Sequence, residues 1–177
     1  MRNIIYYVAS SLDGYISGLD DDISGFVNKG NGIDQYFEDL QGFDTVIMGR
    51  KTYEFGYKFG MKPGSLPYPH MTHYIFSRSL EFKDKADQLH IKGLDIRHIE
   101  KLRKQEGSDI YLCGGGQFAG WLLDQQQITH LKIKLNPFVA GNGIRLFGSS
   151  STFCRTELIN SQSFEEGLQI LTYRILY

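Results

Sequence analysis

The sequence predicts one α/β domain built on a largely parallel sheet with an antiparallel edge. Short apolar, strand-like runs alternate with stretches of helical periodicity, which is typical of parallel sheets covered by helices. Residues 155–177 resemble two strands joined by a polar turn, and they predict the antiparallel edge. The chain has 177 residues, of which 41% are hydrophobic. This is enough apolar material for one core and too little for two domains.

The first half of the chain predicts two strands and two helices. Residues 4–9 form a short run rich in β-branched and aromatic residues, which is typical of a buried strand. Residues 11–32 are rich in Gly, Asp, Asn and Ser and predict a long loop, and loops of this length are often functional. Residues 33–41 place apolar side chains at helical spacing. The strand predicted at 45–48 is followed by a helix that starts near Lys51.

The second half repeats the alternation after a Pro-rich surface segment at residues 56–72. Its predicted elements are strands at 73–77, 109–113 and 129–136, a helix over 94–102 that ends before Gly107, a helix that opens in the glycine run at 114–116, and a final pair of strands that turns at 165–167.

Composition excludes several functional classes. The formal net charge is −1, so the chain lacks the global positive field that nucleic-acid binding favours, and no membrane partner is expected because its apolar runs are too short to span a bilayer. Two cysteines, Cys113 and Cys154, without a Cys-x-x-Cys pair, are typical of a reduced, cytoplasmic protein. The N-terminus shows no signal-peptide pattern.

The turn Gly49-Arg50-Lys51-Thr52 is a candidate phosphate site. It lies where a strand ends and a helix begins, so free backbone N–H groups and the positive end of the helix dipole are available there. Glycine allows an anion to approach the backbone closely, and the next three residues add two cations and a hydroxyl. Taken alone, these four residues slightly favour an ordinary turn with solvated cations over a phosphate site.

A second glycine turn, "CGGGQFAG", follows the strand at 109–113. Gly114, Gly116 and Ala119 satisfy a relaxed dinucleotide fingerprint. That fingerprint normally lies in the first βαβ unit and has an acidic residue about 20 residues downstream. Here it lies two-thirds along the chain, and Lys132 to Asn136 contain no acid. A simple Rossmann domain is therefore disfavoured, but an anion-binding turn remains.

A third strand end, Ser77-Arg78-Ser79, completes the pattern. The carboxyl ends of parallel strands gather at one edge of a sheet, where ligands of such folds bind. Three turns there predict a ligand with several phosphates. Arg50, Lys51 and Arg78 suit a phosphate monoester through charge-assisted hydrogen bonds. NADPH, with a pyrophosphate and a separate 2′-phosphate, fits this description.

Five motifs together resemble the dihydrofolate reductase superfamily. They are "VASSLDGYISG" (8–18), "TVIMGRKTYEF" (45–55), "YIFSRS" (74–79), "IYLCGGGQFAGWLL" (110–123) and "NPFVAGNGIRLF" (136–147). The last is most similar to the reductase domain of the bifunctional riboflavin-biosynthesis deaminase-reductase, here in a stand-alone version. The resemblance implies a three-layer αβα sandwich around a mixed, mainly parallel sheet. It also implies NADPH as hydride donor and a heterocyclic, pterin-like or aminopyrimidine substrate.

The resemblance also implies specific cofactor-binding positions. They are Ala9, Gly14 and Ile16 beside the nicotinamide, Gly49, Arg50, Lys51 and Thr52 at the phosphate turn, Ser77 and Arg78 at the 2′-phosphate, and Gly115, Gly116 and Gln117 at the pyrophosphate. In the family, the two glycines of the Gly115-Gly116 pair are often joined by a cis peptide bond. Relatives are often homodimers, so a homodimer is expected.

The catalytic acid is less well defined. The family's substrate-binding acid lies on the helix before the Met-Gly-Arg strand, where Asp34 falls, with Glu38 one turn later. Burial would raise the pKa of such an acid toward use at neutral pH. Helix N-terminal capping next to Gly32 explains Asp34 equally well. Dihydrofolate reductases carry a Trp in the loop after the first strand, whereas the single Trp here is Trp121.

Two other groups of side chains have weaker functional interpretations. The segment 20–25 resembles the opening of a calcium loop, but Asn31 stands where that loop needs Glu, so no metal site is expected. The aromatic residues of segment 53–59 have two explanations, a substrate mouth or packing under a long loop, and the sequence favours packing.

Overall fold

The computed structural model describes all 177 residues. Its strands are β1 (Ile4–Ser10), β2 (Tyr15–Ser17), β3 (Thr45–Gly49), β4 (Thr72–Phe76), β5 (Leu89–Lys92), β6 (Ile110–Gly114), β7 (His130–Leu135), β8 (Ile144–Arg145), β9 (Arg155–Ser163) and β10 (Gln169–Leu176). Eight of them form one sheet in the order β5-β4-β3-β6-β1-β7-β10-β9, and β2 pairs with β8 alone.

Helices cover both faces of this sheet. They are α1 (Asn31–Leu40), α2 (Arg50–Phe55), α3 (Ile96–Lys104) and α4 (Gly116–Asp124), with 3-10 turns at Leu19–Asp21, Gly56–Phe59 and Glu165–Gly167. One buried cluster joins the sheet to α3 and α4, and a second joins it to α1 and α2. The predicted three-layer αβα sandwich is therefore confirmed. None of the helices combines the length and apolar character that crossing a membrane would require.

Alternation along β1 explains why both faces can be buried. Successive strand side chains point to opposite faces. Tyr6 lies in the α3–α4 cluster and Tyr7 in the α1–α2 cluster, and both are almost fully buried. A strand covered on both sides has no polar face, which is why apolar and polar residues do not alternate over residues 4–9.

Parallel pairing brings the predicted turns to one edge. β1, β4 and β7 run parallel to their neighbours β6, β3 and β1, and β3 runs parallel to β6. The carboxyl ends of these strands therefore share an edge. At the other end of the sheet, β10 is antiparallel to both β7 and β9, which confirms the predicted antiparallel edge.

Several boundaries differ from the prediction. Helix α3 begins at Ile96, after the exposed Leu94, because the Asp95 carboxylate accepts a hydrogen bond from the Arg97 backbone N–H and caps the helix. Strand β5 was not predicted, because its four residues depend on pairing with β4. The long loop at 11–32 also contains β2, whose pairing with β8 is distant in sequence.

The aromatic segment 53–59 belongs mainly to the core. Tyr53 is buried, its hydroxyl donates to the Ser65 carbonyl at 2.8 Å, and its ring meets that of Tyr57 edge to face. The rings of Phe55 and Phe59 meet edge to face, and Phe59 is exposed. The contacts of Tyr53 and Tyr57 agree with packing under the long segment that follows α2.

Candidate functional site

The predicted site residues lie at the carboxyl ends of three neighbouring strands. In the sheet register, Gly49 of β3 pairs with Phe76 of β4, and Met48 pairs with Gly114 of β6. A Cβ atom built on Gly49 would lie 3.2 Å from the Cβ of Phe118 and 3.9 Å from the Gly114 carbonyl oxygen. The turns at 49–52 and 114–117 are thus in direct contact. The turn at 77–79 follows β4 on the other side of β3.

Thr52 joins the first glycine turn to the second. A Cβ atom on Gly115 would stand only 2.9 Å from the Thr52 hydroxyl oxygen. Real Cβ atoms do not approach this closely, so glycine keeps this space open next to a hydroxyl. The cis peptide bond in this turn joins Gly114 to Gly115, and the expected position between Gly115 and Gly116 is wrong. The cis bond therefore lies directly at the end of β6, which runs through Gly114, while Gly116 already begins α4.

The cations at this edge are held differently from one another. The Arg50 guanidinium donates from Nε to Glu54 Oε1 at 2.8 Å and from Nη1 to Ser79 Oγ at 2.9 Å. Arg50 therefore ties the 49–52 turn to the 77–79 turn, and Glu54 offsets part of its charge. Lys51 and Arg78 are exposed and make no side-chain hydrogen bond within the chain. They are the cations available to an incoming anion.

Ser77 orders its own turn. Its hydroxyl oxygen accepts hydrogen bonds from the backbone N–H groups of Ser79 at 3.2 Å and Leu80 at 3.0 Å. Such local bonds fix the chain direction after a strand. The predicted Ser77 is therefore a turn-forming residue, and Arg78 extends from the turn that it fixes.

The first turn of α4 lies under the segment around β8. A Cβ on Gly116 would come within 2.2 Å of the Arg145 carbonyl oxygen and 3.1 Å of the Gly148 nitrogen. Gln117 Oε1 accepts a hydrogen bond from Ser149 Oγ at 3.0 Å. No side chain caps this helix. Its first N–H groups and its dipole are therefore a feature of the fold that suits an anion.

The loop after β1 is fastened to the loop after β7 by one carboxylate. Asp13 accepts from Ser11 Oγ at 2.6 Å and from the backbone N–H groups of Ala140 at 2.9 Å and Gly141 at 2.8 Å. The Ser11 hydrogen bond is the largest of the effects that lower the pKa of Asp13 to about 2. Gly14 adopts a φ of +84° in this turn. The predicted nicotinamide segment is therefore an ordered loop.

Of the other residues predicted beside the nicotinamide, Ala9 and Ile16 are half-buried. Ala9 lies near the end of β1, directly beside Lys134 of β7 in the sheet register. Ile16 lies in β2, next to the pairing of β2 with β8. Both stand at the same edge as the glycine turns.

Asp34 is exposed in the first turn of α1, and Glu38 one turn later is also exposed. Neither makes a side-chain hydrogen bond within the chain, and no side chain caps this helix. On the inward face of the first turn stands Gly32, where a Cβ would meet Leu168 at 2.5 Å. The structure thus places Asp34 near the correct end of the helix but does not direct its carboxylate toward the sheet.

Sequence reasoning missed the acid that does face the sheet. The Asp39 carboxylate accepts from the Tyr7 hydroxyl at 2.8 Å and from Lys132 Nζ at 2.6 Å, while Gln35 donates to its second oxygen at 3.1 Å. The hydrogen bond and charge of Asp39 join burial in raising the pKa of Tyr7. The network joins α1, β1 and β7, and no local sequence pattern indicates it because its members lie far apart in the chain.

A second polar group missed by sequence reasoning lies nearer the glycine turns. The hydroxyls of Tyr36 and Tyr111 are 2.9 Å apart, and the Tyr68 hydroxyl lies 3.7 Å from Cys113 Sγ. Lys134 Nζ lies 3.5 Å from the centre of the Tyr36 ring. Burial raises the pKa of the Cys113 thiol, so it is protonated at neutral pH. The alternation in "THLKIKLN" placed Lys132 and Lys134 on one face of a strand but did not show that α1 covers that face.

Comparison with known proteins now identifies the family. The model of the RibD C-terminal domain matches residues 2–170. The chain belongs to the RibD C-terminal domain family. It is also 28% identical over 170 residues to the uncharacterized Bacillus subtilis protein YwjB, covering 96% of each chain.

Solved structures of other proteins share the fold. The chain is similar to a protein ascribed to riboflavin biosynthesis from Shewanella sp. PV-4, with a TM-score of 0.84 and 24% identity over 100% of both chains. The bifunctional deaminase and 5-amino-6-(5-phosphoribosylamino)uracil reductase of Thermotoga maritima gives a TM-score of 0.68 at 14% identity, over 98% of this chain and 56% of that one.

The dihydrofolate reductase fold is equally recognisable. Enterococcus faecalis dihydrofolate reductase, solved as a complex with NADP(H), gives a TM-score of 0.63 at 15% identity, over 98% of this chain and 96% of that one. The predicted resemblance to this superfamily is thus confirmed. Membership of the RibD C-terminal domain family supports a reductase of riboflavin-type chemistry.

Proposed function

We propose that the protein is an NADPH-dependent reductase that transfers hydride to a heterocyclic, pterin-like or aminopyrimidine substrate, such as a phosphoribosylaminouracil. One observation carries the proposal most directly. Three turns from separate parts of the chain, at 49–52, 77–79 and 114–117, meet at the carboxyl ends of neighbouring strands. An extended ligand with several phosphates is what such an arrangement suits.

The donors at this edge fit NADPH. Lys51 and Arg78 are free cations for the 2′-phosphate, with Arg50 fixed beside them through Ser79. The backbone of Gly115 to Gln117 at the start of α4 would hold the pyrophosphate. Thr52 supplies a hydroxyl beside Gly115, where a Cβ would fill the space.

The cofactor supplies the hydride, and the chain supplies binding and orientation. Ala9, Gly14 and Ile16 would position the nicotinamide at the end of β1 and in the loop that Asp13 fastens. Holding donor and acceptor in contact removes most of the entropic barrier to their reaction. The aminouracil reductase activity in the name of the Thermotoga maritima relative supports a pyrimidine as the first substrate to test.

Transfer of tritium from labelled NADPH to a panel of pteridines and aminopyrimidines tests the reaction, and no transfer to any of them would contradict it. The cofactor preference is tested separately by Arg78→Ala. Loss of a charge-assisted contact to the 2′-phosphate should weaken NADPH binding roughly tenfold or more and leave NADH binding nearly unchanged. Arg155→Ala, an exposed arginine on β9, is the matched control. Equal losses for both nucleotides in the Arg78 variant would refute the assignment of the 2′-phosphate.

An NADPH-binding module without substrate turnover is the second candidate. The exposed position of Asp34 favours it, because a carboxylate in open water lacks the enclosed contact with substrate that a general acid needs. This candidate predicts tight NADPH binding and no turnover of any substrate. A marked loss of rate in Asp34→Asn would exclude this candidate, because the candidate has no turnover to lose.

A further inference from the structure

Lys134 is a half-buried cation without an anionic partner. It lies on the same face of β7 as Lys132, whose ammonium is paired with Asp39 at 2.6 Å. Lys134 makes no ion pair and donates no side-chain hydrogen bond within the chain. Its one close electrostatic contact is with the ring of Tyr36, 3.5 Å from Nζ to the ring centre. Burial lowers the pKa of Lys134 to about 8.

Magnitudes show that this arrangement is incomplete without a ligand. A single cation–π contact stabilises an ammonium much less than removal from water destabilises it, even after the protein relaxes. The Tyr36 ring therefore offsets only part of the cost. On the same face of the strand, the charge of Lys132 is balanced by an ion pair with the Asp39 carboxylate.

The groups that surround Lys134 are neutral. Cys113 on β6 and Tyr36 on α1 are protonated at neutral pH, since burial raises the pKa of the thiol and raises that of Tyr36 to about 12. Tyr68 and Tyr111, whose pKa values burial also raises, complete the polar lining. On β10, the sheet partner of Lys134 is the apolar Ile170. Any negative charge for Lys134 must therefore come from outside the chain.

The carboxylate that faces this part of β7, that of Asp39, already has hydrogen-bond partners. Asp39 accepts hydrogen bonds from Tyr7, Lys132 and Gln35, which occupy both of its oxygens. It faces Lys132, two residues before Lys134 on the same strand. Asp39 consequently leaves the ammonium of Lys134 for another partner.

Lys134 lies at the carboxyl end of its strand. Lys134 is paired with Ala9 at the end of β1, and its carbonyl accepts a hydrogen bond from Asn136 Nδ2 at 2.9 Å at the carboxyl end of β7. Cys113, in its lining, directly precedes the Gly114–Gly115 turn. Lys134 is therefore on the edge that would hold the nicotinamide, and on the α1 side of the sheet.

We propose that Lys134 is the catalytic proton donor and the substrate-binding cation of this site. This rests on the proposed reductase function. Its ammonium would bind a carbonyl oxygen or ring nitrogen on the acceptor edge of a heterocycle, as in a uracil. A diamino ring that presents N–H donors would instead need a carboxylate.

In the proposed reaction, the substrate receives its hydride and its proton from different groups. The unsaturated carbon of the substrate accepts hydride from NADPH, and the π electron pair of its C=N or C=O bond moves to the heteroatom. That heteroatom takes a proton from Lys134 Nζ, and water then reprotonates the amine. The substrate is reduced by two electrons and NADPH is oxidised to NADP⁺. A lysine with a lowered pKa suits this task at neutral pH.

Equilibrium binding of two probes tests the cation independently of turnover. Titration calorimetry with 5,6-diaminouracil and with 2,4-diaminopteridine, in the presence of NADP⁺, compares wild type with Lys134→Met. Losing a charge-assisted hydrogen bond should weaken the uracil roughly 10- to 100-fold and leave the diaminopteridine unchanged. In wild type, uracil affinity should also fall as pH rises through about 8. Lys132→Met, from the same strand face, should leave the uracil preference intact.

The outcomes separate this inference from the proposed function. Equal uracil affinity in wild type and Lys134→Met, or no uracil binding by wild type, overturns the role of Lys134. Failure of NADP⁺ to bind wild type overturns the reductase function instead, and the probe titrations still measure the cation without it. Where turnover is found, Lys134→Met should lower kcat about 100-fold and remove the loss of rate above pH 8. Unchanged NADPH affinity in that variant excludes general misfolding.

Discussion

Asp13 shows how one exposed carboxylate can organise a site. Its two oxygens hold the backbone N–H groups of Ala140 and Gly141, which lie more than a hundred residues away in sequence. Charge-assisted bonds of this kind are stronger than neutral ones. The loop after β1, which would contact the nicotinamide, is therefore ordered by a residue that need not touch the cofactor itself.

Replacing Asp13 with Ala should detach these two loops and weaken NADPH binding about tenfold, because the loop must then be ordered on binding. Hydrogen exchange at Ala140 and Gly141 should become faster. Asp20→Asn, on the same segment but with no side-chain hydrogen bond, is the control. The carboxylate has a pKa of about 2, below its ordinary value, so its contribution is present near neutral pH and is lost only as pH falls toward 2. Unchanged exchange at both amides in Asp13→Ala would contradict this role.

His73 should make stability depend on pH in mildly acidic solution. It is fully buried, donates from Nδ1 to the Met71 carbonyl at 3.0 Å and accepts the Tyr68 N–H at Nε2, so it is held neutral. Burial lowers its pKa to about 4. The unfolded chain takes up the proton at a higher pH, so stability should fall as pH drops from about 6.5 to about 4, by on the order of 2 kcal/mol.

Urea unfolding at closely spaced pH values checks this expectation, with His73→Gln as the comparison. The variant will be less stable near pH 7 but should lose most of the pH dependence in that window. His98→Gln, a half-buried histidine of α3 without a side-chain hydrogen bond, should keep it. An unaltered pH profile in the His73 variant would show that other groups titrate there.

The individual residues that sequence could identify were those inside contiguous motifs. Gly49 to Thr52 and Gly115 to Gln117 carry their chemistry in adjacent positions, so the pattern was visible. Asp39 and Lys134 acquire their surroundings from α1, β1 and β6, none of which is near them in the chain. Periodicity placed the two lysines of β7 on one face, but only the fold shows that α1 covers it.

Helix α4 and the β8 segment are packed too closely for any side chain at Gly116. The Arg145 carbonyl would stand 2.2 Å from a Cβ there, and a backbone group cannot move aside as a flexible side chain can. The segment at 144–148 is thus seated on the first turn of the helix, next to the proposed pyrophosphate site. The sequence indicated a glycine turn at this point but not that another segment covers it.

Gly116→Ala should therefore displace the β8 segment. We expect a loss of roughly 1–3 kcal/mol in the free energy of unfolding, which corresponds to a fall in Tm of about 2–12 °C for a chain of this size. NADPH affinity should fall as well. Gly93→Ala, where no atom lies within 4 Å of the new Cβ, is the matched control and should change neither quantity. Equal Tm values for the two variants would show that the β8 segment can move aside without a loss of stability.

Elements with a clear apolar periodicity, or with glycine turns at their ends, were predicted correctly. Short strands that depend on a neighbouring strand were not predicted. Helix α1 and strand β3 have apolar patterns of sufficient length. The two short strands β2 and β8 exist only as a pair, and β5 depends on β4. Short strands are fixed by pairing and burial more than by intrinsic preference, which is why single-sequence reasoning passes over them.

The antiparallel end of the sheet leaves β9 as a long unpaired edge. Eight of its nine residues are exposed, including Leu158 and Ile159, and the register shift opposite Thr172 and Tyr173 leaves Ile159 as an extra residue. Long exposed edges with apolar side chains are templates for pairing with another chain. We expect a second copy of this chain to cover β9 in a twofold dimer, since this is the commonest closed assembly.

Sedimentation equilibrium should therefore find wild type as a dimer at micromolar concentration. Leu158→Lys combined with Ile159→Lys should shift the mass to that of the monomer, because the two ammonium groups would repel their symmetry mates and resist burial. Val139→Lys, equally exposed but located beside the Asp13 loop, should leave the dimer intact. A monomeric wild type would refute the dimer, and dissociation by Val139→Lys alone would place the interface at the proposed cofactor-binding edge. The two edges also have different chemistry, because the turns after β3, β4 and β6 present cations and backbone N–H groups, whereas β9 presents apolar side chains. This division favours a dimer that leaves the proposed nucleotide site of each copy open.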